Sequence, residues 1–514
     1  MLNITPRDYQ KDIFNTTKTN NTLVVLPTGI GKTLIALMLA VHRIKRYPLS
    51  KIIFLAPTRP LVEQHLQTFK SNLPELFATI EIFTGSIPAN KRKKIFQSAD
   101  IIFSTPQCIA NDLKKQLYSL ENVSLLVIDE AHRCLKNYDY TKVVNSYKQQ
   151  TEFERILGLT ASPGSETKKV QEICNHLNIT KIESRTRESK DVKPYLQKRE
   201  FEKIEVDFPK EFIEIRTLLR QIWDKIILNL KSKNILYGPA NKISLLKLQS
   251  RLSKQISSGN YSAMHAISQT AQAIKISHAL ELLETQTLSG LEEYFNNLIN
   301  QAKAKQSRAV QRLVKSPEFN AAKISLSYLL TKKIQHPKLT KLKEIIEQEF
   351  NQNPNSKIIV FSQFRETASK ISSVLNKIKK VNSKVFIGQS KKSNTKGIQS
   401  GLSQKEQKQI IQDFRDNRVN IICATSIGEE GLDIPEVNAV IFYEPIPSAI
   451  RKIQRAGRTA RLIPGKLLIL ITKDTKDEIH HYASSAKERK MHKTLETIKE
   501  QLKKKTENPT LNKF

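Results

Sequence analysis

Short runs of apolar and β-branched residues recur through the first third of the chain, with helix-prone stretches between them. They are TLVVLP near residue 22, KIIFLAP near 51, IEIFTG near 80, DIIFSTP near 100, SLLVIDEA near 124 and RILGLTASP near 155. Runs without alternation are how strands read when helices cover both faces of a sheet, so residues 1–190 are predicted to form a parallel α/β domain. In such a sheet ligands bind where the strands end, and each run does end in polar or turn residues. A second series, KIIVFS at 357–362 followed by KVFIGQ, VNIICATS, AVIFYEP and GKLLILIT, predicts a second α/β domain over 336–483. Between the two, residues 191–208 read as a linker. Residues 209–335, rich in Leu, Ile, Lys and Gln, read as an all-helical insertion. The Lys-rich stretch 484–514 reads as a helix and tail, either a docking arm or a solvated terminus.

Composition adds a partner. A chain of 514 residues is too long for one core and should form about three domains. Its 84 Lys and Arg against 49 Asp and Glu give a net charge of +35, which points to a polyanion, most commonly nucleic acid. Abundant Lys, Ile and Asn also fit an A/T-rich coding bias, so the charge supports that reading without proving it. Cys108, Cys134, Cys174 and Cys423 form no C-x-x-C pair, which argues against a zinc site or a disulfide framework. No segment approaches about 18 uninterrupted apolar residues, so the expectation is a soluble, cytoplasmic protein with no membrane partner.

The candidate chemistry starts at Leu23–Thr33, LVVLPTGIGKT. A strand breaks into Pro27, Thr28, Gly29, Ile30 and Gly31, and Lys32 and Thr33 open a helix. Glycines let the loop turn its N–H groups inward, where a triphosphate can sit on them and on the positive helix end. Lys32 would reach the β and γ phosphates and Thr33 would bind Mg²⁺. Leu26 stands where the phosphate-loop pattern has its first glycine. The run LLVIDEAH ends in two carboxylates: Asp129 to hold Mg²⁺ through water, and Glu130 to polarise the attacking water. In QRAGRTAR, a helical repeat would put Gln454, Arg458 and Arg461 on one face, able to meet developing negative charge across a domain cleft. Lys305, Arg308, Arg312 and Lys315 are spaced to share one helix face, as are Lys247, Arg251 and Lys254. Each stripe is either a phosphate-backbone track or a solvated face.

In order, PTGIGKT, DEAH, TAS (Thr160–Ser162), TSIGEEGLDIP (Thr425–Pro435) and QRAGRTAR resemble the signatures of superfamily 2 helicases, across both α/β domains. The resemblance implies two RecA-like domains, ATP with Mg²⁺, and a first loop position where glycine is commonly replaced, so Leu26 ceases to be a departure. It further implies adenine recognition by Arg7, Tyr9 and Gln10, and a strand track along Arg59, Thr84, Gly85, Thr105, Gln363, Arg365 and Thr425. Thr160 and Ser162 would couple hydrolysis to strand movement, and Gly431 and Asp433 would meet the nucleotide on closure. LPTGIGKT with DEAHR, PTRPLVEQH, DVKPYL (Asp191–Leu196) and FSQFRETA are similar to the archaeal Hef and FANCM branch. That branch implies ATP-driven remodelling of forked and four-way DNA, 3′ to 5′, with the insertion gripping duplex. It also implies a cell without a nucleus. Glu488, Arg489 and Lys490 echo a nuclease centre, but position 494 is Thr, so cutting is expected to need a separate nuclease. Two alternatives stand: a double-stranded RNA translocase, and a non-hydrolysing ATP-gated clamp on branched DNA.

Overall fold

The computed structural model describes residues 3–74, 76–389, 392–393, 399–426, 434–459 and 464–507. The first domain runs α1 (Asp8–Thr19), β1 (Thr22–Val25), α2 (Lys32–Arg46), β2 (Lys51–Leu55), α3 (Arg59–Asn72), β3 (Ile80–Phe83), α4 (Ala89–Ser98) and β4 (Ile101–Ser104). It continues with α5 (Pro106–Lys114), β5 (Val123–Ile128), α6 (Asp139–Gln150), β6 (Ile156–Thr160), α7 (Thr167–His176) and β7 (Lys181–Ser184). The seven strands form one parallel sheet in the order β3-β4-β2-β5-β6-β1-β7. Both faces are dry, as the unbroken apolar runs require: Leu23 and Val25 enter one core layer, Val24 and Leu26 the other.

The second domain begins earlier than the sequence pattern indicates. Within the expected linker, β8 (Arg199–Val206) lies parallel to β15 (Gly465–Thr472) at the edge of a second, six-stranded sheet. Its sequence REFEKIEV buries only Ile204 fully, and charged side chains on an exposed edge strand hide it from a hydrophobicity reading. The chain then leaves for the helical insertion, α8 (Ile213–Ser232), α9 (Lys242–Ser257), α10 (Met264–Thr285), α11 (Leu288–Lys303), α12 (Arg308–Val314) and α13 (Pro317–Thr331). It returns through α14 (Pro337–Gln352), β9 (Ile358–Phe361), α15 (Arg365–Leu375) and β10 (Ser383–Phe386), then a short ladder of β11 (Lys392–Ser393) and β12 (Gln399–Ser400). It ends with α16 (Gln404–Arg415), β13 (Ile421–Ala424), β14 (Ala439–Phe442), α17 (Ala449–Ala456), β15 and α18 (Lys476–Glu507). The sheet order is β10-β13-β9-β14-β15-β8, parallel throughout.

One expected charge stripe breaks. Lys305 lies in the turn between α11 and α12 with a positive φ of 52°, and the Ser307 side chain caps a new helix by accepting from Val310 N. Lys305, Arg308, Arg312 and Lys315 are all exposed, but only Arg308 and Arg312 lie within α12. The other stripe holds: Lys247, Arg251 and Lys254 are exposed on α9, opposite the buried Leu245, Leu248 and Leu252.

The insertion is fastened to the second domain. Thr367 donates to Gln286 Oε1 at 2.8 Å, Lys476 Nζ to Ser277 O at 2.8 Å, and the His278 ring packs on Phe364 at 5.5 Å. Through residue 504 the Lys-rich C-terminal stretch is a docked arm. Helix α18 starts in the second domain, where Asp477 pairs with Lys338 at 2.8 Å, both side chains wholly buried. Farther along, Met491, Leu495 and Ile498 are buried in the first domain's core. Each such side chain contributes about 1.5–3 kcal/mol by burial. Leaving one buried charge unpaired costs about 3–5 kcal/mol, so Lys338→Met should lose roughly that much stability in urea unfolding, and Lys338→Met with Asp477→Leu should recover most of it.

Candidate nucleotide site and nucleic-acid interface

Parallel strands put every C-terminal end of the first sheet on one edge, and the strand order divides that edge in two. β5, β6 and β1 are neighbours, and they lead into Asp129 and Glu130, Thr160 to Ser162, and the loop 26–31. β3, β4 and β2 are neighbours on the other side, and they lead into Thr84 and Gly85, Thr105, and Arg59. The nucleotide candidates therefore sit together, beside the strand-track candidates.

In the loop, Gly29 and Gly31 have φ of 86° and 83°, the left-handed region open to glycine. A Cβ on Gly31 would stand 2.1 Å from Gln10 Nε2. Gln10 Nε2 donates to Ile30 O at 3.3 Å and Tyr9 OH donates to the same oxygen at 2.6 Å, so PRDYQ holds the loop from behind. The Arg7 guanidinium lies 5.0 Å from the Tyr195 ring centroid, which places Tyr195 beside the expected adenine residues. Lys32 Nζ donates to Leu26 O at 3.0 Å, folded over the loop that would receive phosphate.

Thr33 Oγ1 lies 3.1 Å from His65 Nδ1, and His65 Nε2 lies 2.8 Å from Asp129 Oδ2. Burial works to raise the Asp129 carboxyl, but His65 beside it, then Lys32 and the Glu130 backbone N–H, hold it below the usual carboxylate range. A hydroxyl and an ionised carboxylate joined this way are the hard oxygen donors that suit Mg²⁺. Glu130 follows in the left-handed region at φ 52°, 3.2 Å from His132 Nδ1.

The second domain meets this loop directly. A Cβ on Gly457 would stand 2.7 Å from Thr28 Cβ, so the end of α17 rests on the phosphate loop. Gln454 and Arg458 are buried there. The helix ends at Ala456 and Arg458 lies in the turn that follows, its N–H bonding back to Arg455 O. Arg455 points inward, its guanidinium 4.7 Å from the Phe361 ring centroid. Gly431, Asp433 and Arg461 lie outside the described residues.

Along the other half-edge, Arg59 is exposed and donates to Glu63 at 2.8 Å, and Glu63 also accepts from Lys408 of α16 at 3.1 Å. Gly85 faces open space, while the Thr84 hydroxyl is buried and lies 2.8 Å from Ser86 Oγ. Thr105 is half-buried at the start of α5. In the second domain Gln363 is exposed, Arg365 is half-buried at the start of α15, and Thr425 is buried at the end of β13. Lys305, Arg308 and Arg312 sit on the insertion, on neither sheet edge.

The helicase domain of Pyrococcus furiosus Hef has this architecture, with a TM-score of 0.71 and 41% identity over 93% of this chain and 98% of that one. The chain belongs to the Hef family of DEAD/DEAH-box helicases. The DEAD/DEAH box helicase model matches residues 7–170, an ATP-dependent RNA helicase helical-bundle model 211–336, and the helicase conserved C-terminal domain 337–463. A Methanocaldococcus jannaschii relative, named as an ATP-dependent RNA helicase, is 36% identical over 96% of this chain and 61% of its own length. The ATP-dependent DNA helicase mph1 of Neurospora crassa is 33% identical over 93% of this chain and 42% of its own length. For the mouse Fanconi anemia group M protein homolog the figures are 32%, 94% and 25%. The chain thus spans less than two thirds of the length of each of these three curated relatives.

Three residues of this helicase site escape a reading of motifs. His65 lies within PTRPLVEQH, where only its burial against Asp129 reveals it. Tyr195 lies in DVKPYL, beyond the first sheet, and returns to Arg7. Glu444 accepts from the Gln363 backbone N–H, fixing FSQFR, and burial pushes its carboxyl up to about 7 despite Lys338 and Arg455 nearby.

Two outcomes follow. His65→Ala removes the orienting partner of Asp129 and should raise the Mg²⁺ concentration for half-maximal ATPase by about tenfold. The folded protein keeps the Glu444 proton above its ordinary value of 4.5, so this group's stabilisation is full below that pH and is lost as pH climbs to about 7. The melting temperature of the wild type relative to Glu444→Gln should therefore fall between about pH 5 and about pH 7.5, and level off above.

Proposed function

We propose that this chain is an ATP-dependent DNA helicase and translocase that remodels forked and branched DNA, moving 3′ to 5′ on the tracking strand. The observation that carries the reading is the divided sheet edge, with phosphate-loop and carboxylate residues on one half, Arg59, Gly85 and Thr105 on the other, and α17 of the second domain resting on the loop. Lys32 and the loop N–H groups hold the triphosphate, with Arg7, Tyr9, Gln10 and Tyr195 about the base. Glu130 takes the proton of the attacking water. Thr33 and Asp129 would hold Mg²⁺, which would supply charge neutralisation at the phosphates. Arg458 and Arg461 bring positive charge to the transferring phosphoryl group, a contribution of about 10³ to 10⁵ in rate for an arginine finger, and Gln454 offers a neutral amide hydrogen-bond donor beside them. Gly431 and Asp433 join on closure. Repeated closure moves one domain against the other along a strand held by Arg59, Gly85, Gln363 and Arg365.

The insertion grips duplex, and its basic face on α9 serves the phosphate backbone. A separate structure-specific nuclease makes any cuts, and the protein works in the cytoplasm. Among the described residues no helix is long and apolar enough to cross a membrane.

A duplex-RNA translocase is the second reading, favoured by the names of the Methanocaldococcus relative and the helical-bundle family. An ATPase titration with single-stranded DNA, a fork, a four-way junction and duplex RNA at fixed salt separates the two. Forked DNA should stimulate most, and a larger effect of duplex RNA would overturn the DNA reading. Glu130→Gln should bind ATP and DNA but lose about 10²- to 10⁴-fold in hydrolysis, while Arg461→Ala should lose hydrolysis with ATP affinity nearly kept. Full activity in either refutes the assigned roles and revives the clamp.

A further inference from the structure

Glu130 is the first member of a chain of contacts that leaves the nucleotide site. His132 Nδ1 lies 3.2 Å from the Glu130 carboxylate and 3.2 Å from Thr160 Oγ1. Thr160 Oγ1 donates to Ser162 O at 3.0 Å and accepts from Ser162 N at 3.1 Å. The Ser162 hydroxyl then donates to the Met491 sulfur at 2.8 Å, across 329 positions of sequence. Thr160 and Ser162 are wholly buried and Met491 is 2% exposed, so no water competes for this last bond. Hydrogen bonds thus run from His132 to the C-terminal helix, and the proposed water-activating carboxylate stands at ion-pair distance from His132 without a hydrogen bond to it.

That helix is attached to every moving part. Near its start Lys476 bonds the insertion at Ser277, and Asp477 pairs with Lys338 in the second domain. Glu488 pairs with Lys452 of α17 at 3.0 Å, two positions before Gln454. Met491, Leu495 and Ile498 are seated in the first domain. Thirty-two residues at about 1.5 Å each make a rod of about 48 Å. The Glu488 to Leu495 stretch also walls a cavity of about 540 Å³ whose other walls include Pro27 and Thr28 of the phosphate loop and Gly457 of α17.

We propose that Met491 is a positioning residue for ATP hydrolysis: when α18 is seated, its sulfur holds Ser162, and through Thr160 and His132 it sets the Glu130 carboxylate. The rod then reports the placement of the second domain and insertion to the carboxylate. This rests on the assignment of Glu130 to hydrolysis. A leucine fills nearly the same volume as methionine but cannot accept a hydrogen bond, so Met491→Leu removes the contact and keeps the packing.

The test is a double-mutant cycle in the full chain with Met491→Leu and Ser162→Ala, reading kcat and KM for ATP at saturating forked DNA and nucleotides travelled per ATP. Each single variant should lower kcat about 3- to 10-fold with KM within about twofold. The double should be no worse than the poorer single, because both break one relay. Unchanged kcat in Met491→Leu, or additive losses, would overturn the inference. Leu495→Ala, which loosens the seat of α18 without entering the relay, should lower the melting temperature and weaken the coupling between Met491 and Ser162. Coupling unchanged by that loosening would show that the seat of α18 does not set the relay, and would overturn the inference. A wild type that no nucleic acid stimulates would sink the helicase reading instead, and the same cycle on unstimulated turnover would still decide the relay.

Discussion

A parallel sheet cannot place its loops at random. Because each strand must be crossed over by a helix before the next can pair, all C-terminal ends collect on one edge and all N-terminal ends on the other. Here the edge carries the whole chemistry of the first domain, and the order β3-β4-β2-β5-β6-β1-β7 sorts it. The candidate triphosphate residues and candidate strand-track residues become neighbours on one edge. Helix starts complete the arrangement, since α2 begins at Lys32 and α3 at Arg59 on that edge.

Charge inside the molecule follows a different logic from charge on its surface. The Lys338–Asp477 pair is dry, and Glu444 sits near it with a raised carboxyl while Arg455 stacks on Phe361. Such groups are costly to desolvate, and their partners offset that cost only in one geometry. They therefore fix the corner where β15 turns into α18, where β14 ends and where FSQFR begins. At the cleft between domains the pairs are weaker and wetter. Glu63 joins Arg59 of one domain to Lys408 of the other on half-exposed side chains, an arrangement that salt or a phosphate backbone can displace.

Rigid bodies and a soft seam are what the proposed translocase needs. The insertion is fastened to the second domain through Gln286, Ser277 and His278. The seam against the first domain includes the loop under Gly457, the Glu63 pairs and the seat of α18. Helix α18 reaches from the insertion to the TAS element.

The sequence by itself determined where the candidate nucleotide loop and carboxylates lie, because that pattern is local. Glycines at positive φ, a lysine at a helix start and carboxylates at the end of a buried strand are each written within a dozen residues, as Leu23–Thr33 and Leu125–Glu130 are. It also determined the two sheets, since unbroken apolar runs have few other uses. Edge strand β8 stayed hidden because its outward charges imitate a linker, and the Lys305 to Lys315 stripe was broken by a serine cap that spacing does not weigh. His65, Tyr195, Glu444 and Met491 act through partners remote in sequence, and a side chain's local pattern carries no record of what the folded chain brings against it. Only the tertiary structure decided those, since long-range packing and the exclusion of water arise when the sheets close on their helices.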